Sequence, residues 1–263
     1  MFEIVSTPNP PGTLFARFSN PISSIFLISQ SNASCFGASD GSVTVSGSGG
    51  TSSGSYLYAI DGGLNTGSAT FSGLPVGAYT VTITDDNDCT FDLQVNITSP
   101  DEIAFSFTNL QDITCFGAND GTVSGEASGG SGGFTYSMDG VNFQDNGTFD
   151  DLEPGFHTVI VMDQNGCLNY FELFTNEPEE LALNVTQSNN VSCNGAGDGS
   201  ITVSGAGGVT AYTYSIDNGQ ESSDNTFINL TGGSYFIQIF DANECTTSTS
   251  VTITEPGILS LSI

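Results

Sequence analysis

A seven-residue pattern, Cys-x-Gly-Ala-x-Asp-Gly, occurs three times in this chain, beginning at Cys35, Cys115 and Cys193. The offsets are 115 − 35 = 80 and 193 − 115 = 78 residues. A period of that length is too long for one turn of a solenoid and fits one small domain per repeat. The chain is therefore expected to be a tandem array, whatever its length alone would suggest.

Further markers recur in fixed order behind each copy. The Asp-Gly leads into an alternating strand: Val43 and Val45, Val123, Ile201 and Val203. A Gly-Gly loop follows at Gly49-Gly50, Gly129-Gly130 and Gly207-Gly208. Next comes an aromatic strand, Tyr56-Leu57-Tyr58, Phe134-Thr135-Tyr136 or Tyr212-Thr213-Tyr214. It ends at a hairpin-turn pair, Asp61-Gly62, Asp139-Gly140 or Asp217-Asn218. A corner Leu-x-x-Gly-x-aromatic then enters the penultimate strand at Leu74–Tyr79, Leu152–His157 and Leu230–Tyr235. Corners of this kind enter the penultimate strand of immunoglobulin-type sandwiches. That strand ends in Asp-x-Asn-x-Cys: Asp85 to Cys89, Asp163 to Cys167, Asp241 to Cys245. Period-two alternation and close-set Gly-rich turns predict all-β, Ig-like sandwiches of about seven strands each.

The units read as 21–99, 100–177 and 178–256, each opened by a proline (Pro21, Pro100, Pro178). Residues 1–20 read as a Pro-rich linker followed by the last strand, 13–20, of a truncated preceding repeat. The ground is that Phe15–Pro21 resembles the close of the second unit, Phe171–Pro178. Residues 257–263 read as the first strand of a following repeat, or as a donor strand for a neighbour.

Charge excludes several functions. The chain has 29 acidic residues against one basic residue, Arg17, for a formal net charge of −28. Such a field repels nucleic acid and anionic lipid. It favours cations, Ca²⁺ above all, and also keeps a long array from sticking to itself. No run is long enough to span a bilayer, so no direct membrane insertion is expected. Six cysteines, two per repeat, fit an oxidising compartment. The opening Met1-Phe2-Glu3-Ile4 has no signal-peptide character. The chain accordingly reads as a segment of a longer exported protein.

Together these markers resemble the SprB repeat of Bacteroidetes surface proteins, over nearly all of residues 21–256. Two departures stand out: His157 replaces the corner tyrosine in the second repeat, and Asn194 replaces phenylalanine in the third. The resemblance implies very long cell-surface adhesins, including those that move along gliding cells. From it we expect an extracellular, bacterial cell-surface location. The expected role is that of a structural repeat segment of an adhesin or filament, giving reach and mechanical and proteolytic resistance. The alternative is a filament subunit that polymerises by strand donation through its terminal strands. A calcium-dependent or glycan-binding module is a more distant reading. Expected partners are neighbouring repeats or copies of the chain, with surface polysaccharide as a further candidate.

The candidate chemistry is sparse. Pairing within repeats would give Cys35–Cys89, Cys115–Cys167 and Cys193–Cys245, each worth roughly 4 kcal/mol in the chain-entropy treatment. Repeats that multiply as genetic units favour such self-contained pairs. The alternative is that the early cysteine of one repeat meets the late cysteine of the next, because in a simple sandwich their loops lie at opposite ends. The aspartates and asparagines of the two motifs offer oxygen ligands for Ca²⁺: Asp40, Asp85 and Asn87; Asp120, Asp163 and Asn165; Asp198, Asp241 and Asn243. The same residues are ordinary turn formers. No other cofactor is expected. No enzyme is expected either, since the chain has no lysine and its single histidine, His157, sits at a corner.

Overall fold

The computed structural model describes residues 22–52 and 54–261, which form eighteen strands and no helix. The first six are β1 (Ile22–Ser31), β2 (Gly41–Gly49), β3 (Leu57–Ile60), β4 (Thr70–Leu74), β5 (Gly77–Thr84) and β6 (Thr90–Ile97). The same plan recurs as β7 (Asp101–Gln111), β8 (Gly121–Gly130), β9 (Thr135–Ser137), β10 (Thr148–Leu152), β11 (Gly155–Met162) and β12 (Leu168–Thr175). It recurs again as β13 (Ala182–Asn189), β14 (Gly199–Ala206), β15 (Thr213–Ile216), β16 (Thr226–Leu230), β17 (Gly233–Phe240) and β18 (Thr246–Ile253).

Each set of six builds two antiparallel three-stranded sheets. In the first repeat the orders are β1-β2-β4 and β3-β5-β6, and the other two repeats follow suit. This is the Greek-key sandwich arrangement of an Ig-like domain, reduced to six strands where the sequence suggested about seven. The difference lies after β3. There the chain returns through a hairpin held by an isolated bridge, Tyr58 to Thr66, and by Gly63 N–H to Ile60 O at 2.9 Å, and goes on to β4 without adding a strand to either sheet. Asp61 and Gly62 take positive φ in that hairpin, as do Asp217 and Asn218 in the third repeat.

Alternation sets the core. Val43 and Val45 point inward from β2 and meet Val81 and Ile83 of β5, with Tyr58, Leu74, Val95 and Ile97 closing the cluster. The third repeat repeats this with Ile201, Val203, Ile237, Ile239, Tyr214, Leu230 and Ile253. Register is shared as well: Val43, Val123 and Ile201 stand opposite Phe71, Phe149 and Phe227.

The chain divides into two compact units, and the division cuts the middle repeat. One unit is Met1–Ala104 with Ser128–Phe134 and Met162–Asn169; the other is Phe105–Ala127 with Thr135–Val161 and Tyr170–Ile263. The strand read at 13–20 lies outside the described residues. Residues 257–261 carry no strand pairing.

Candidate functional site

Two loops in each repeat carry the cysteines, and each is built around one aspartate. The early loop joins the first strand to the second. In it Asp40 accepts from the Ser34 N–H at 2.9 Å and from the Ser34 hydroxyl at 2.5 Å. Asp120 takes the same two bonds from Thr114, at 2.9 and 2.5 Å, and Asp198 accepts from the Ser192 N–H at 2.8 Å. The loop also closes on itself, through Ala38 N–H to Cys35 O at 3.1 Å and its equivalents after Cys115 and Cys193. These bonds hold the carboxyls of Asp40, Asp120 and Asp198 below the ordinary 3.8, the Ser34, Thr114 and Ser192 side chains being the largest cause.

The glycine after each of these aspartates does not turn the chain. Gly41, Gly121 and Gly199 are buried and are not at positive φ. A Cβ on Gly41 would stand 2.6 Å from Ile97 and 2.8 Å from Leu74 O; one on Gly199 would stand 2.8 Å from Leu230 O. Glycine is there because the strand passes too close to its neighbours for a side chain.

The late loop joins the fifth strand of a repeat to its sixth. Asp85, Asp163 and Asp241 are 3–6% exposed, yet each accepts several backbone N–H groups. Asp163 takes Ser131 N–H on one oxygen at 2.8 Å, and Asn165 and Cys167 N–H on the other, both at 2.9 Å. Thr51, Asn87 and Cys89 serve Asp85 likewise, and the first of these is the main reason its carboxyl lies below 3.8. The Gly-Gly pair makes room for this clamp. Gly129 and Gly130 both take positive φ, and a Cβ on Gly130 would stand 3.0 Å from the Asp163 carboxylate.

Within one repeat the two loops lie at opposite ends. Ala33 N–H donates to Thr98 O at 2.9 Å, so the early loop sits at the close of β6, whereas Cys89 sits at its start. The within-repeat pairing is therefore wrong. Cys35 bonds to Cys167 and Cys115 bonds to Cys245, each with a Cα–Cα distance of 5.7 Å. The early cysteine of one repeat reaches the late cysteine of the next. A polar bond accompanies each disulfide. The Asn165 side-chain amide donates to Ser34 O at 3.1 Å, and that of Asn243 donates to Thr114 O at 2.8 Å. At the first of these junctions Phe36 lines a shallow cleft with Pro100, Ile103 and Leu168.

Cys89 and Cys193 remain thiols. Burial first, and then the Asp85 charge, hold the Cys89 thiol above its ordinary 9.0.

The proposed calcium ligands are not assembled as a set. Asp40 lies at one end of its repeat and Asp85 with Asn87 at the other, and each of these aspartates is occupied by N–H donors. Among the described residues no group of three or more His, Cys, Asp or Glu side chains is placed to hold a metal ion. His157 does the corner's work: its Nε2 lies 2.8 Å from Glu153 O, where Tyr79 OH donates to Pro75 O at 2.8 Å and Tyr235 OH to Thr231 O at 2.9 Å. The roles of Asn165 and Asn243 as donors across a junction were not read from the sequence. Their acceptors carry a signal that was available, a Ser or Thr immediately before each early cysteine (Ser34, Thr114, Ser192).

A model of the SprB repeat matches the chain at three places, residues 27–65, 108–143 and 185–221. Each match takes in the early cysteine loop and the Gly-Gly pair and ends after the hairpin turn; the corner and the late loop fall outside it. No curated protein matches the chain. Similar solved structures include the fibronectin(III)-like modules of Clostridium thermocellum CbhA, at 14% identity over 59% of this chain and 95% of that one, TM-score 0.26. The N-terminal eight Ig domains of the Down Syndrome Cell Adhesion Molecule match at 14% identity over 89% of this chain and 36% of that one, TM-score 0.34. Cadherin domains 1–4 of protocadherin gamma B7 match at 13% identity over 89% and 71%, TM-score 0.26. At such scores the likeness says nothing of function. Among the described residues no helix is long and apolar enough to cross a membrane, which leaves β-barrels unaddressed.

Proposed function

We propose, from the three matches to the SprB repeat along the chain, that it is a load-bearing structural segment of an extracellular adhesin or surface filament on a bacterial cell. One observation carries the reading: both disulfides join one repeat to the next instead of closing a repeat on itself. A linker between independent beads would need no such bonds. Here the bonds make the array a covalent network with two nodes, Cys35–Cys167 and Cys115–Cys245. Three stretches of chain run between the nodes, and the shortest, from Cys115 to Cys167, has 167 − 115 = 52 residues. Tension applied along the chain can extend the network no further than that stretch allows, even if every sandwich opens.

In this reading the array has no catalytic role and takes no metal, since its aspartates serve as loop clamps. Its partners are other repeats; a surface polysaccharide would be met elsewhere on the adhesin. Strong negative charge keeps neighbouring arrays apart, and the near absence of basic residues leaves almost no trypsin site.

Single-molecule pulling from the two termini tests it. With disulfides intact, the distance between the nodes should stop growing at about 180 Å, at about 3.5 Å per residue. After reduction the same pull should release the whole span, 245 − 35 = 210 residues, or about 740 Å. Release of the full span from the oxidised protein would overturn the reading.

A further inference from the structure

The outer face of one sheet sets the middle repeat apart. Strands β11 and β12 are neighbours, and alternation turns Val159 and Leu173 into the core. It leaves Phe156 on β11, and Tyr170, Glu172 and Phe174 on β12, outside. The three rings are 83%, 58% and 44% exposed, and Phe156 packs on Phe174 with ring centroids 4.9 Å apart. The late cysteines give the equivalent positions in the sister repeats, since 167 − 89 = 78 and 245 − 167 = 78. They are Ala78, Asp92, Gln94 and Asn96 in the first repeat, and Ser234, Ser248, Ser250 and Thr252 in the third. On those sheets the face is polar and bonded to itself. Thr82 Oγ1 donates to Asp92 at 2.7 Å and the Gln94 amide to Thr80 at 2.8 Å, and the hydroxyls of Ser234 and Thr252 lie 3.0 Å apart.

The middle repeat has a repeat on either side within this chain, so the exposure of this face does not depend on where the sequence starts or stops. Single exposed apolar side chains are ordinary. Three rings on one sheet face, where both sister repeats carry small or polar residues, mark a contact surface. Charge says what meets it. With 29 acidic residues against one basic residue, the chain repels a second copy of itself, nucleic acid and anionic lipid. A cation is drawn by the Glu172 carboxylate and by the negative faces of the rings. A guanidinium answers both, because it stacks on aromatic rings and pairs two N–H groups with a carboxylate. Along β12, Tyr170, Glu172 and Phe174 follow at two-residue steps, each step about 6.6 Å long. An extended peptide presents alternate side chains at the same interval.

We propose that this face of β11 and β12 docks an extended, basic segment of a partner protein with arginine at every second position. The central guanidinium pairs with Glu172, and those on either side stack on Tyr170 and on the Phe156–Phe174 pair. The surface is separate from the load-bearing role and does not depend on it.

The test titrates the full chain, disulfides intact, into a dye-labelled peptide, Gly-Arg-Ser-Arg-Ser-Arg-Gly, and follows fluorescence polarisation. At about 0.15 M salt the Debye length is about 8 Å, so distant carboxylates are screened. The substitutions are borrowed from sister repeats that fold with them: Phe156→Ser with Tyr170→Ser from the third, Glu172→Gln from the first. The ring variant keeps the net charge at −28 and should weaken binding about five-fold. Glu172→Gln should weaken it about three-fold, and replacing arginine by lysine in the peptide should weaken it several-fold. Equal binding by all three proteins would mean that only the overall charge attracts the peptide, and would overturn the proposal. So would a parent chain that ignores the peptide but binds dextran, or dimerises, and loses that property in the ring variant; the face would then belong to a neutral glycan or to a second copy. Should the ring variant melt below the parent, Glu172→Gln, an exposed change, decides the matter alone.

Discussion

At the scale of single residues, the aspartates carry most of the meaning. Asp40 and Asp85 exist to be ionised: N–H and hydroxyl donors converge on their carboxylates, and proton binding would cancel what those donors provide. A carboxyl held below 3.8 in the fold contributes stability that is complete above its unfolded value and is lost as pH falls through its folded one. We expect Asp40→Asn to lower the melting temperature at pH 7 and to narrow its gap to the parent as pH drops from 4 to 2. Comparing parent and variant at each pH removes the general relief of charge repulsion that acid brings to a chain this acidic. A gap that widened in acid would show that the clamp works in its protonated form. The neighbouring glycine makes a second prediction. Gly199→Ala presses a methyl group onto Leu230 O, and overpacking of this kind costs about 1–3 kcal/mol. Calorimetry should find that loss in the melting of the third repeat. Both residues were legible in the sequence as a turn pair, Asp-Gly, but for the wrong reason. The aspartate is a clamp and the glycine a spacer, and neither role leaves a mark that differs from a turn until the neighbours are known.

At the scale of elements, the corner before the penultimate strand shows how far a local pattern can be read. A ring four residues beyond a carbonyl folds back and donates to it, at Tyr79 and Tyr235, and a histidine does the same at His157. Tyr79→Phe keeps the ring and loses the bond, which should cost about 1 kcal/mol in the first repeat. His157→Tyr should leave the second repeat about as stable as before. Chemical denaturation of the single variants checks both. The strands were legible for the same reason: alternation at Val43 and Val45, or Ile201 and Val203, depends only on which face of the strand meets the core. The strand count was less so. The run after β3 has the residues of a hairpin, but its return arm keeps the isolated Tyr58–Thr66 bridge, and pairing that thin depends on the partner and not on the residues themselves. The disulfides were least legible. Six cysteines at regular spacing fit two connectivities, and the choice turns on which end of one sandwich lies against which end of the next. That is a property of packing between repeats, about which periodicity within a repeat is silent.

At the scale of the whole molecule, the interleaved disulfides change how the array fails. Cys35 and Cys167 bracket Cys115, and Cys115 and Cys245 bracket Cys167, so the two loops share the stretch from Cys115 to Cys167. Each closes a long loop, with separations of 132 and 130 residues, and would stabilise by about 5 kcal/mol in the chain-entropy treatment if it acted alone. An engineered protease site between Ser99 and Pro100 makes the difference visible. Had each repeat closed on itself, one cut there would release two pieces under non-reducing conditions; with the pairing seen here the cut chain should run as one covalent species until a reductant is added. The same reasoning applies to damage that nobody engineers. An ordinary tether is a single thread, and its lifetime is set by the first broken peptide bond. Between its two nodes this chain runs as three stretches in parallel, parted only when all three have been cut, so in the proposed load-bearing role the chance of losing the connection falls as the third power of the chance of cutting one stretch.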